Sequence, residues 1–181
     1  MEATLLKSKE ETIRKEKKKA ILLVSKGYIP KDFPKDKLLE YFVLKLNSEL
    51  NKDVDEKKLK ELENEIINWP RTPNNDPSYF SLINLREELY FVLGFNVEFA
   101  FEEYCAPSIR DAIFNLLSKG YSSIIIVPID YIAGINAKIL KEIEEIKKSK
   151  DIDIQIAWPY KLGLQADFIA THILSFLRKS I

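Results

Sequence analysis

The sequence predicts a three-layer α/β fold built on a four-stranded parallel sheet, and three observations predict it. Short apolar runs alternate with longer segments of helical periodicity: AILLV at 20–24, NVEFAF at 96–101, SIIIVP at 123–128 and DIQIAW at 153–158. The runs at 20–24 and 123–128 are apolar at nearly every position, as strands covered on both faces must be. Both runs also stop abruptly, at Ser25-Lys26-Gly27 and at Ile129-Asp130, where a buried strand hands the chain to a loop.

The elements follow in order. The first 19 residues form a polar arm ending in RKEKKK, interrupted by glutamates, which reads as a solvated charged helix. After the strand at 20–24, residues 35–50 space Leu38, Leu39, Phe42, Val43 and Leu46 at helical intervals. Asp53 or Asp55 caps a second helix through EKKLKELENEIIN, broken at Trp69-Pro70. PRTPNNDP at 70–77 is a loop by composition. A third helix runs over 78–93 and ends at Gly94; a fourth, over 107–120, has proline in its first turn and glycine past its end. Helices over 135–150 and 163–179 complete the alternation.

The totals exclude several classes. With 181 residues the chain has room for one domain and little for two. Lys and Arg number 28 and so do Asp and Glu, so the field expected of a nucleic-acid binder is missing. No apolar run reaches the ~18 residues of a membrane span, and the first 19 residues, lacking an apolar core segment, do not resemble a secretory leader. Cys105 is the single cysteine, so neither an internal disulfide nor a thiolate zinc site is available. The cytoplasm is the expected compartment, and the abundance of Lys and Glu with only two glutamines, Gln155 and Gln165, fits a thermophile.

Right-handed crossovers place a ligand at the carboxyl ends of the strands: 25–28, 102–106, 129–136 and 159–162. No Gly-x-Gly-x-x-Gly turn, Gly-Lys-Ser/Thr loop or Gly-x-Ser-x-Gly elbow stands there. Lys26 and Asp130 occupy two strand ends, but the acidic pair of a phospho-receiver is missing after the first strand. His172 falls inside the closing helix, away from those ends.

Taken in order, the strand ends resemble the class II tetrapyrrole metallochelatases, the sirohydrochlorin cobaltochelatases and ferrochelatases. VEFAFEEYCAPSIRDAIFNLLSKGYSSIIIVPIDYIAGIN at 97–136 carries most of the resemblance. It is similar to the family's strand, glutamate and Pro-Ser-Ile helix start, followed by glycine, an apolar strand ending Val-Pro, and a small-residue loop. ILLVSKG at 21–27 and AWPYKLG at 157–163 are similar to its first and last strands. Residues 28–78 resemble the helical excursion of a ferrochelatase half, with DPSYF at the family's Ser-Pro-Leu turn. Beyond the charged arm at 1–19, the resemblance thus implies one chelatase-like domain at 20–181, with 28–78 a helical insertion. A single half implies a homodimer, or pairing with another chelatase half.

It also implies a site. Glu103 takes the position of the family's glutamate, as base or metal contact, and Asp130 is a second carboxylate one loop away. Lys26, Tyr28, Tyr104, Tyr131 and Asn136 are the implied substrate-binding residues. The family histidines are replaced: Lys26 and Asn136 stand at the two positions of the short cobaltochelatases, and Ile129 at that of ferrochelatases. Neutral imidazole both binds a borderline metal and takes a proton, whereas a lysine is a cation at neutral pH and asparagine is no base. Lys26 instead suits the carboxylates of an anionic tetrapyrrole.

The expectation is therefore a chelatase-like binder of such a macrocycle, in cobalamin or heme biosynthesis. It keeps no tightly bound cofactor and takes divalent Co, Fe or Ni as substrate. A non-catalytic carrier or silent partner subunit, and an unrelated α/β small-ligand module, stand as alternatives. Plain structural duties stay open for each residue as well: loop cation for Lys26, strand-end carboxylate for Glu103, turn cap for Asp130, small buried hydrophobe for Cys105.

Overall fold

Strand β1, Lys19–Ser25, is the axis of the molecule, with Leu22, Leu23 and Val24 at most 1% exposed. Burying such side chains is worth about 1.5–3 kcal/mol each. The computed structural model describes residues 18–130, 137–150 and 152–157. In these, β2 (Asn96–Phe101), β3 (Ser123–Pro128) and β4 (Asp153–Ile156) join β1 in one sheet of order β2-β1-β3-β4, parallel throughout. Ala20 pairs with Asn96 on one side and Ile124 on the other, and Ile126 pairs with Ile156.

Among the described residues five helices accompany the sheet: α1 (Lys35–Glu49), α2 (Glu56–Asn68), α3 (Pro77–Leu93), α4 (Ile109–Ser118) and α5 (Ala137–Ser149). One face of the sheet packs Leu22, Val24, Ile124 and Ile126 against Ile113 and Leu116 of α4 and Ile143 and Ile146 of α5. The other face packs Leu23, Val97 and Phe101 against Leu82, Leu85 and Leu89 of α3. With helices on both faces this is the expected three-layer α/β fold. No helix among the described residues is long and apolar enough to cross a membrane.

Local chemistry explains the boundaries. Asp55, one of the two expected caps, accepts from Lys58 N–H at 2.9 Å and starts α2. Asp76 accepts from Tyr79 N–H at 3.1 Å, and Gly94 ends α3 in the left-handed region. The fourth helix starts two residues later than expected. Ser108 is its cap, accepting from Asp111 N–H, while the Pro107 carbonyl accepts from Phe101 N–H at 2.9 Å and extends the edge of β2. Strand β4 ends at Ile156 rather than at 158, although Ala157 N–H still reaches Ile126 O at 2.9 Å.

The insertion between β1 and β2 has its own core of Phe33, Tyr41, Leu62 and Ile66, with Leu38, Leu44, Leu59, Trp69 and Tyr104 packed against it. Here the helical face read from the sequence divides. Tyr41 is the buried anchor of α1, flanked by Leu38 and Leu44, whereas Leu39, Phe42, Val43 and Leu46 are exposed. The arm before residue 18, the closing helix with His172, and the strand end at 159–162 lie outside the described residues.

Candidate functional site

The chain leaves β1 for β2 on one side and β3 lies on the other, so the loops after β1 and β3 diverge at the switch point of the sheet. Backbone bonds carry the sheet past its strand ends. Glu102 N–H donates to Ser25 O at 3.0 Å, Glu103 N–H to Lys26 O at 2.9 Å, and Ile129 N–H to Val24 O at 3.0 Å. Lys26, Glu103 and Asp130 are thereby held on three adjacent strand ends. Lys26 and Asp130 are exposed and Glu103 is half-buried.

Asp130 bridges the switch point. Its Oδ2 accepts from Lys26 N–H at 2.7 Å and from the buried Ser25 hydroxyl. This carboxylate, expected as a catalytic group, has the additional duty of tying the β1 loop to β3.

Gly27 sets how closely the loops approach. Its φ is +82°, and a Cβ there would stand 2.0 Å from Glu103 O and 3.3 Å from Cys105 Sγ. Only glycine allows this backbone contact. Cys105 is buried, which pushes its thiol above the ordinary value, and Sγ lies 3.7 Å from Tyr28 O. That is the small buried hydrophobe of the plain reading.

The tyrosines part company. Tyr28 is half exposed and lines a cavity of about 330 Å³ with Ser25, Ser78, Ser81, Ile129 and Asp130. Tyr104 has φ +59°, a left-handed backbone uncommon outside glycine, and its ring is turned to the insertion. It meets Tyr41 edge-on at 6.2 Å, and Lys45 Nζ lies 5.1 Å from its centroid and 3.4 Å from its hydroxyl. The expected macrocycle contact of this ring is thus taken up by packing on α1. Tyr131 and Asn136 lie outside the described residues.

Two residues that the sequence reading missed complete the arrangement. Lys45 is half-buried; burial works to lower its ammonium, but the hydrogen bond to Tyr41 and the charges of Tyr41, Tyr104 and Glu103 outweigh it and hold Lys45 above the ordinary lysine value. Arg71 is a clamp with its side chain 7% exposed. It pairs with the buried Asp76, and donates to Tyr28 O at 3.1 Å, to Tyr104 O, and to Ile66 O at 3.5 Å. One guanidinium therefore fixes the loops after β1 and β2 to the last turn of α2. Nothing in PRTPNNDP marks an arginine for burial, whereas Ser25, closing an apolar strand, was a visible signal for a hydroxyl at the cleft.

Chemically, the site offers Lys26 at the end of β1, Lys45 on α1 within range of the Glu103 charge, and a cavity lined by Ser25, Tyr28, Ser78, Ser81 and Asp130. Among the described residues no three His, Cys, Asp or Glu side chains converge to hold a metal ion, and Glu103 is not part of such a cluster.

The comparisons with known proteins agree with this architecture. The CbiX family model matches residues 75–172, more than half of the chain. A sirohydrochlorin cobaltochelatase of Sulfurisphaera tokodaii is 38% identical over 87 residues, which cover 46% of this chain and 70% of that protein. The crystal structure of a protein described as a cobalamin (vitamin B12) biosynthesis CbiX protein, from Marinobacter aquaeolei VT8, superposes with a TM-score of 0.52. It covers 89% of this chain and 98% of that one at 13% identity, a likeness of fold. A helix-flanked parallel sheet with its polar groups at the switch point is the class of a class II chelatase. The chain belongs to the CbiX family. The matched stretch begins at residue 75, so β1, Lys26, Lys45 and Arg71 come from outside it.

Proposed function

We propose that this chain acts in the cytoplasm, binding a carboxylate-bearing tetrapyrrole at the β1/β3 switch point and presenting a divalent metal, Co, Fe or Ni, to it as substrate. The observation that carries this reading is the meeting of Lys26, Glu103 and Asp130 on adjacent strand ends of a CbiX-family fold. In it, Lys26 pairs with ligand carboxylates, Tyr28 lies against the macrocycle from the cavity rim, and Glu103 contacts the metal or takes one of the two pyrrole protons that leave as the metal enters, the rest going to solvent. Asp130 keeps the loops in register, and Tyr131 and Asn136, outside the described residues, are the remaining substrate-binding residues of this reading. Two copies pair, because one half leaves the cleft open on a side.

A second reading, tetrapyrrole carriage or a silent partner's role without metal insertion, is favoured by the residues at the family's histidine positions, Lys26, Ile129 and Asn136. One experiment separates the two. Purified protein is mixed with sirohydrochlorin or protoporphyrin, then with each metal, and the absorption bands are followed. The first reading expects bands of the metallated macrocycle, lost in Glu103→Gln while binding is retained, and accelerated in Asn136→His. Band shifts on binding with no metallation in any of the three proteins support carriage; no shift with any macrocycle contradicts both.

A further inference from the structure

Helix α1 is apolar on two sides. At about 100° per residue, Leu38, Tyr41 and Leu44 share the side that packs on the insertion core. Leu39, Phe42, Val43, Leu46 and Leu50 share the opposite side, at the spacing i, i+3, i+4, i+7 and i+11, each 44–67% exposed. Isolated exposed apolar residues need no explanation, but a continuous stripe over three turns of one helix marks a docking face.

The occupant follows from the order of residues along the stripe. When α1 is laid antiparallel on a copy of itself about its midpoint, Leu39 faces the copy's Leu46 and Phe42 faces the copy's Val43. The same operation brings Lys35 of one helix beside Glu49 of the other, twice, on one flank of the stripe. Lys35 and Glu49 are exposed and take part in no ion pair among the described residues. A two-fold interface demands such self-complementarity, and an unrelated partner would not.

We infer that α1 is the dimerisation helix of this chain, pairing antiparallel with α1 of a second copy. The inference rests on the pairing in the reading above and not on its ligand. Its readout is mass and not absorbance, so the two fail separately.

The test is light scattering on the full chain at micromolar concentration, with circular dichroism to confirm that each variant is folded. Wild type is expected at twice the 21.0 kDa of the chain, and Val43→Glu at 21.0 kDa with an unchanged spectrum. Lys35→Glu and Glu49→Lys should each weaken the dimer by about tenfold, and the double exchange should restore it. Phe91→Glu, at an 84% exposed residue of α3, should leave the mass unchanged. A monomeric wild type, a dimer that survives Val43→Glu, a dimer lost in Phe91→Glu, or a double exchange without rescue would each overturn the assignment.

Discussion

At the residue scale, polar side chains set the shape of the cleft through the backbone groups they hold. Asp32, at the entry to the insertion, accepts from Asn75 Nδ2 at 3.0 and 3.1 Å and from Trp69 Nε1 at 3.0 Å. These bonds, that from Asn75 foremost, hold its carboxyl below the ordinary value of 3.8. A carboxylate lowered in the folded state stabilises the fold above its unfolded value and loses that contribution as pH falls through the folded one. Asp32→Asn should therefore be less stable than wild type at neutral pH, with the difference closing below about pH 3.8. Urea midpoints measured from pH 7 to pH 3 check this; a gap that stays constant across the range would show that the Asp32 charge plays no part.

At the element scale, the insertion and the strand ends form one mechanical unit through Arg71. Removing one member of a buried ion pair leaves the other unpaired, at a cost of about 3–5 kcal/mol. Arg71→Met should lower stability by that amount in chemical denaturation. Arg71→Met combined with Asp76→Asn removes both charges and keeps a side chain able to cap α3, so it should recover much of the loss. It should not recover tetrapyrrole affinity, because nothing then holds the Tyr28 and Tyr104 carbonyls. Recovery of both together would reduce Arg71 to an ion-pair partner.

This is also the scale at which the legibility of the sequence varies. Apolar runs and end signals such as Asp55, Gly94 and Gly120 are local, so strands and helices could be read within a residue or two. Which apolar side of α1 packs inward is not local. Leu38, Leu39, Phe42, Val43 and Leu46 read as one face, but Tyr41 decides the matter by reaching Tyr104 from a distant loop. The same contact explains why Tyr104, a natural candidate for the cleft, is turned to the insertion, and why Lys45 and Arg71 could not be picked out. Both depend on partners far away in the chain. Lys26 and Asp130 could be named because strand ends in a parallel sheet converge whatever their side chains are, and Glu103 because it stands at the glutamate position of the family that the sequence resembles.

At the scale of the whole molecule, the net charge is zero, so attraction for an anionic ligand must come from local cations rather than the overall field. Lys26 is exposed at the switch point and Lys45 is held cationic behind Glu103. Their reach in solution is limited to ~8–10 Å by physiological salt. The most direct measurement of the central claim is an absorbance titration of wild type and Lys26→Ala with sirohydrochlorin and with protoporphyrin, at low and high salt. The account predicts saturable band shifts in wild type. It also predicts a loss in Lys26→Ala of about 1–2 kcal/mol, roughly 5–30-fold, for sirohydrochlorin. That penalty should be smaller for the carboxylate-poor protoporphyrin and should shrink as salt rises. Equal affinity of wild type and Lys26→Ala for both macrocycles at every salt concentration would contradict an anionic tetrapyrrole site at the switch point.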